Sequence, residues 1–365
     1  MTLRVVVDAL PLHFGGGGTV LLEQLAALER VAPDLRLRVL AAPWNAAALD
    51  HAIRHPVHTV DVTDGVRRVL WEQLALPRLD GRPGVLYCPG GLAPVAPARL
   101  PVVVAAQNPN LVGRGRRLAH NRAWPRRARI AACQVSLRRA TRIVAVSAAL
   151  AAELLADQPA LVDRTEIIPL GAPTLPAERR RPVALGVGIA DFLLVLANDA
   201  PHKRLDDAVA AWGRAFADAG GAAPRLVIAG VVDRRRRADH RALVPDTLAS
   251  RLIHLGPVAD RREVAWLLDH ARALVSASEL ESFGLTTLEA GARGCPLILS
   301  DLPAHREVAG PHATYVPPRD VTRLAAALAR TDPAPARRPW RWPMSWDEHA
   351  RRLAAVLRAA AGVGQ

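Results

Sequence analysis

Apolar residues along this chain fall into short runs that alternate with longer stretches of helical spacing. Arg4–Leu10 reads as a buried strand. Gly15, Gly16, Gly17 and Gly18 follow as a turn, and Leu21, Leu22, Leu25 and Leu28 then recur at helical intervals. Further strands are expected at Leu37–Ala41, Gly84–Tyr87, Val102–Ala106 and Arg142–Val146, with Ser147 placed to cap a helix over Ala148–Leu155. Ile167–Pro169 closes this half. Residues 171–182 are rich in Pro, Gly and charge and carry no periodicity, so they read as a linker. The alternation then restarts. Strands are expected at Phe192–Ala197, Leu226–Ala229, Leu252–Leu255, Ala273–Ser276 and Leu297–Ser300; helices at Arg204–Phe216, Arg261–Asp269 and Thr286–Gly294. Ser345–Ala360 again has helical spacing. Strands that alternate with helices predict an α/β protein with two doubly wound, Rossmann-like domains. The expected division is 1–170, a linker at 171–186, a second domain at 187–335, and a segment at 336–365 that packs back across the domains.

Composition agrees with this layout. The 365 residues suffice for two domains, half of them are hydrophobic and only 4% are aromatic, so aliphatic side chains must build the core. The three cysteines, Cys88, Cys133 and Cys295, are far apart and form no C-x-x-C pair, which argues against a disulfide framework or a zinc site and fits a reducing cytoplasm. Arg4 and Asp8 interrupt the apolar N-terminus, so it reads as a strand rather than a signal peptide. No uncharged run approaches the roughly 18 residues of a membrane span. The net charge of +14 comes from arginine, and Lys203 is the single lysine.

One segment stands out. In Ala273–Asp301 a strand runs into a polar loop, a helix begins near Gly284, and another strand follows Pro296. A helix N-terminus at the C-terminal end of a parallel strand favours an anion through its free N–H groups and its dipole. Glu281 lies in the loop and Glu289 well inside the helix, where carboxylates accept hydrogen bonds from sugar hydroxyls. On spacing alone, both glutamates are equally compatible with solvated positions.

The order of residues here is more specific than the spacing. Ser278, Glu281, Ser282, Phe283, Gly284, Leu285, Leu288, Glu289 and Ala290, then Gly294, Pro296, Leu297 and Ile298, resemble the E-x7-E signature of glycosyltransferase family 4, the group 1 glycosyltransferases. The resemblance implies a GT-B fold, two Rossmann-like domains facing a central cleft, and transfer with retention at the anomeric carbon. It implies that Glu281 sits by the transferred sugar and its phosphate, that the backbone of Phe283, Gly284 and Leu285 cradles sugar and diphosphate beside Ser282, and that Glu289 binds the ribose.

A second segment, Ala197–Leu205, resembles the family's lysine-bearing stretch in its P-H-K form, in which the lysine holds the donor diphosphate. Lysine is a compact point charge suited to phosphate. Asn198 stands where the family commonly has Arg, which leaves Arg204 or another arginine as the second cation. Gly15 to Gly18 are not G-x-G-x-x-G and argue against dinucleotide binding. They resemble the family's N-terminal glycine loop, which faces donor phosphates and acceptor. Gln107-Asn108 replaces a common His-Asp pair, leaving Asn108 as the hydrogen-bonding group there. No D-x-D motif is present, so no metal or other cofactor is expected, and the nucleotide sugar is a substrate.

No carboxylate lies between Asp80 and Glu153, and ten arginines run from Arg114 to Arg142. The plain reading is a solvated arginine-rich helix over Arg126–Arg139, with Ile130, Cys133 and Leu137 on its buried face. The sharper one is a patch that meets an anionic membrane or a lipid-linked acceptor, placing a cytoplasmic protein peripherally at the inner face. Aromatics are nearly absent from the stretch, so nucleic acid is not an expected partner. The expected activity is transfer of a hexose from an NDP-sugar, GDP-mannose favoured over UDP- or dTDP-sugars, to a glycan, glycolipid or lipid-linked hydroxyl without a metal. A GT-B nucleotide-sugar epimerase and an inactive nucleotide-sugar-binding protein are the alternatives.

Overall fold

The computed structural model describes residues 2–12, 15–80, 84–113, 115, 124–172, 175–186 and 188–362, excluding the side chains of 124–126. Arg114, Arg116, Arg117 and Arg122 of the basic stretch therefore lie outside the described residues. The chain divides into two compact units, one of 1–171 with 344–365 and one of 172–343.

The first unit is built on β1 (Leu3–Asp8), β2 (Leu35–Ala41), β3 (Val57–Thr59), β4 (Gly84–Cys88), β5 (Val102–Ala106), β6 (Arg142–Ala145) and β7 (Thr165–Ile167). They form one parallel sheet in the order β3-β2-β1-β4-β5-β6-β7. The first helix begins at Gly16 rather than Thr19, so Gly16 to Gly18 form its first turn, and Gly15, at φ 125°, is its N-cap. The turn expected from four glycines is therefore a helix start. Leu21, Leu25 and Leu28 bury one face and fix the helix, and bare glycines leave its first turn open to solvent. Ser147 caps the helix Ala148–Asp157 by accepting from Leu150 N at 3.0 Å. In the basic helix Trp124–Arg139, Ile130, Cys133 and Leu137 are buried, while Arg127, Arg129, Arg138 and Arg139 are exposed.

The C-terminal helix Trp346–Ala360 belongs to this first unit. A chain of polar groups ties it in. His349 Nδ1–H donates to Pro169 O (2.8 Å), His349 Nε2 accepts from Gln24 Nε2 (2.9 Å), and Gln24 Oε1 accepts from Tyr87 OH (3.1 Å). Burial holds the His349 ring neutral, with its pKa pushed down to about 4, which this one-way chain of donors requires.

The second unit contains β8 (Phe192–Leu196), β9 (Arg225–Ala229), β10 (Leu252–Gly256), β11 (Leu274–Ser276), β12 (Leu297–Ser300) and β13 (Thr314–Val316). These too form a parallel sheet, in the order β10-β9-β8-β11-β12-β13. Successive residues of β8 serve opposite layers. Leu193 and Val195 pack with Trp212 and Leu328 on one face; Phe192 and Leu194 pack with Leu267 and Ala290 on the other. A strand buried on both faces must read as an unbroken apolar run, which FLLVL does.

One part of the expected division differs. Residues 175–186 are not a free linker: Leu185 lies in the second unit's core, and Arg180 N donates to Arg262 O at 3.2 Å. The segment expected to pack back across the domains divides between the two units. Arg337 donates to Leu268 O and Ala271 O, and Trp340 N to Gly291 O, all within the second unit, whereas 344–362 pack with the first. Among the described residues no helix is long and apolar enough to cross a membrane.

Candidate functional site

In the second sheet the crossovers leave β8 and β11 in opposite directions, since β8 leads to β9 and β11 to β12 on the other side. Such a switch point opens a crevice beyond the C-terminal ends of the two strands, where ligands of open α/β sheets bind. The loops that enter this crevice are 197–204 and 277–284. A cleft there is lined by Leu196, Ala197, Lys203, Ser278, Glu281 and Thr286.

The backbone brings the two loops together. Pro201–Lys203 form a 3-10 turn, and Arg204 takes a left-handed conformation (φ 52°) before the helix Leu205–Ala215. For a residue with a side chain that costs about 1–2 kcal/mol. Two 2.8 Å bonds from the Arg204 guanidinium to Asp207 offset the cost. Glu279 N donates to His202 O at 2.8 Å, joining loop to loop. Lys203 Nζ then lies 2.7 Å from Glu281 Oε1, bringing together two residues 78 positions apart in sequence.

Burial alone would push the Glu281 carboxyl upward. The Lys203 ammonium, the His305 ring and hydrogen bonds from Lys203 and Ser278 outweigh it and hold the carboxyl at about 2. His305 is itself kept below its ordinary pKa by burial, so at neutral pH Lys203 is the charge that holds Glu281 ionised. Gly284, at φ 100°, caps the helix Leu285–Ala292. Its bare α-carbon faces Thr287 Oγ1 and the His305 ring: a β-carbon there would lie 3.3 Å and 3.6 Å from them. The site thus joins an ammonium and a helix N-terminus, which suit an anion, to a carboxylate and an imidazole, which accept hydroxyl protons.

The other expected residues are distributed more widely. Phe283 is buried and meets the Trp342 ring edge-on, centroids 5.6 Å apart. Ser282 and Leu285 are half-buried on the loop and first turn. Glu289 is buried and accepts from Arg261 at 2.7 Å; burial raises its pKa and Arg261 opposes the rise. Asn198 is exposed, its carbonyl accepting from Ala200 N at 3.3 Å. The Arg204 guanidinium pairs with Asp207 at 2.8 Å. In the first unit, Gly15 to Gly18 form the helix start described above, and Asn108 Oδ1 caps a short turn by accepting from Asn110 N at 3.0 Å. His305 and Arg261 went unnoticed in the sequence. The one signal for His305 was its place just beyond the C-terminal end of the strand Leu297–Ser300.

Comparison with known proteins places these features. The family Glycosyl transferases group 1 matches residues 191–331, which contain both Lys203 and Glu281. Over 149 residues the chain is 37% identical to a glycogen synthase of Mycobacterium tuberculosis, an alignment covering 38% of this chain and 33% of that protein. It is 32% identical over 96 residues to the serotype-specific mannosyltransferase WbdA of Escherichia coli, covering 25% of this chain and 12% of that protein. The chain thus spans about a third or less of the length of these curated relatives. Solved structures resemble nearly all of it, two of them as follows. Sucrose-phosphate synthase from Thermosynechococcus elongatus aligns with TM-score 0.64 and 17% identity, covering 98% of this chain and 96% of that one. WaaG, a glycosyltransferase involved in lipopolysaccharide biosynthesis, aligns with TM-score 0.63 and 15% identity, covering 99% and 98%. The chain has the GT-B fold of two Rossmann-like units, and its second unit matches the family Glycosyl transferases group 1 over residues 191–331.

Proposed function

We infer that the protein is a retaining glycosyltransferase that moves a hexose from an NDP-sugar to a hydroxyl of a glycan, glycolipid or lipid-linked acceptor. The observation that carries the reading is the Lys203–Glu281 pair at the switch point of the second sheet, beside the Gly284 helix start and inside the matched 191–331 segment. On this reading Lys203 and the helix N-terminus neutralise the leaving diphosphate, a task that elsewhere falls to a metal ion. Glu281 stays ionised at any working pH and accepts from a sugar hydroxyl. The leaving phosphate helps take the acceptor proton on the same face of the sugar. GDP-mannose is the favoured donor, supported by the P-H-K sequence and by the likeness of 96 residues to a mannosyltransferase. The exposed arginines of Trp124–Arg139 support a peripheral contact with an anionic membrane that carries the acceptor, at the cytoplasmic face.

A thermal-shift panel of GDP, UDP and dTDP, each with its hexose conjugates, tests the donor site. One nucleotide series is expected to stabilise the protein. Glu281→Ala and Lys203→Ala are expected to abolish transfer while circular dichroism shows an intact fold. Full activity in both variants would remove the assignment. Turnover of the donor sugar without any acceptor, seen by isotope exchange, would favour an epimerase.

A further inference from the structure

His305 has no part in the activity as outlined so far, yet it borders the same crevice. It follows β12 on the short helix Pro303–Ala309, and its side chain is 1% exposed. Its Nδ1 lies 2.8 Å from Ser300 O. A carbonyl only accepts, so Nδ1 carries the proton, and in the neutral ring Nε2 presents a lone pair. The Cδ2–Nε2 edge is the one turned away from Ser300, and Cδ2 is the atom that borders the bare face of Gly284. The ring lies within electrostatic reach of Glu281 and Lys203, the charged groups facing it from the neighbouring loops. Arg306, next in sequence, is turned away onto Asp301 and the Tyr315 ring.

A second observation concerns the same space. Thr287 is 1% exposed and its hydroxyl has no hydrogen-bond partner. It borders the bare face of Gly284 from the other side, 3.3 Å from where a β-carbon would stand. A buried hydroxyl without a partner is costly, and a ligand atom would relieve that cost. The groups around Gly284 are therefore an imidazole nitrogen that can only accept and a hydroxyl free to donate. A ligand group that both donates and accepts fits this pair. A phosphate oxygen, which only accepts, does not fit beside the Nε2 lone pair.

We propose that His305 is a specificity-determining residue for the transferred sugar, its Nε2 accepting a hydrogen bond from one sugar hydroxyl at the Gly284–Thr287 face. The proposal rests on the donor-site reading above and assigns the hydroxyl end of that site to a residue outside the E-x7-E segment. Lys203 and the helix start then read the diphosphate, and Glu281 and His305 read the hexose.

The test separates nucleotide from sugar. Wild type, His305→Phe and His305→Gln are titrated calorimetrically with GDP and UDP and with GDP-mannose, UDP-glucose and UDP-N-acetylglucosamine. The bare nucleotide is expected to bind all three proteins within about twofold. The matching nucleotide sugar is expected to bind His305→Phe about tenfold or more weakly, and His305→Gln, which keeps an acceptor, within about threefold of wild type. Monodeoxy forms of that sugar complete the test. One of them should bind wild type about tenfold worse than the parent and His305→Phe no worse than the parent. If His305→Phe does not fold, loss of binding to wild type on removal of one hydroxyl, with a smaller loss in His305→Gln, carries the same content. Equal binding of the nucleotide sugar by wild type and His305→Phe overturns the proposal. So does a parallel loss of bare nucleotide, which would make the ring a support for the loop only. If wild type binds neither nucleotide nor nucleotide sugar, the donor-site reading itself fails.

Discussion

The Lys203–Glu281 pair can be tested for stability independently of any substrate. Glu281 is held at about 2 against an ordinary 4.5, although burial alone would drive it the other way. At about 1.4 kcal/mol per pH unit this depression corresponds to about 3 kcal/mol favouring the ionised form in the folded protein. The pair is only 24% and 13% exposed, so solvent screens little of it. Lys203→Met is therefore expected to destabilise the protein by about 3 kcal/mol at pH 7, leaving a buried charge uncompensated. Glu281→Gln should cost less, because the more exposed Lys203 ammonium can hydrate. The double variant should fall short of the sum by about 2 kcal/mol, measured by urea unfolding in a double-mutant cycle. The pH dependence has a definite sign. In wild type the folded pKa is depressed, so the contribution is fully present above about 4.5 and is lost as pH falls toward 2. In Lys203→Met, burial prevails and the folded pKa lies above 4.5, so the variant gains stability as pH falls from 7 toward 5. The gap to wild type should narrow over that range. A coupling below about 0.5 kcal/mol, typical of exposed pairs, would refute the reasoning. So would a gap that does not change with pH.

Two further outcomes are expected. Asp8, at the end of β1, has its pKa raised, first by burial and then by Glu72, so wild type should lose stability as pH rises above about 3.8. Asp8→Asn, which keeps an acceptor for Leu10 N, should flatten that decline and raise the melting temperature at pH 8 by roughly 2–4 °C or more, read by calorimetry at pH 5 and pH 8. Gly284→Ala places a β-carbon at φ 100° and 3.3 Å from Thr287 Oγ1, so it should cost about 1–2 kcal/mol in unfolding experiments and weaken nucleotide-sugar binding as well.

In both units the strands were more legible in sequence than the helices. FLLVL, RLVIA and LILS are apolar runs bounded by Gly, Asp or Pro, and buried parallel strands need such runs. The helices that were missed follow a different rule. In Gly65–Leu74 the residues at helical spacing, Val66, Val69, Leu70 and Leu74, are exposed, and Glu72 is the buried one. Its pattern is inverted, so periodicity misleads. Arg234–Ala242 buries only His240 and shows no apolar stripe at all. The site was half legible. Lys203 and Glu281 could be named because each lies in an ordered motif. Their contact could not, since it depends on strand order and on the left-handed Arg204. His305 and Arg261 were hard to name because each gains its place from residues distant in sequence, His305 from Glu281 and Gly284 and Arg261 from Glu289.

The chain leaves its first unit at Gly171 and returns to it only at Met344. During synthesis, then, the first sheet emerges long before the helix that completes its burial. At about 5–20 residues per second, His349 follows Pro169, the carbonyl it binds, by roughly 10–40 s. Through that interval the first helix lacks the last helix it packs against and Gln24 lacks the imidazole it donates to, while the second unit, drawn from one continuous stretch, can already fold. The protein should therefore mature out of the order in which its sequence is written: the second unit first, and the first unit only after the helix Trp346–Ala360 has emerged.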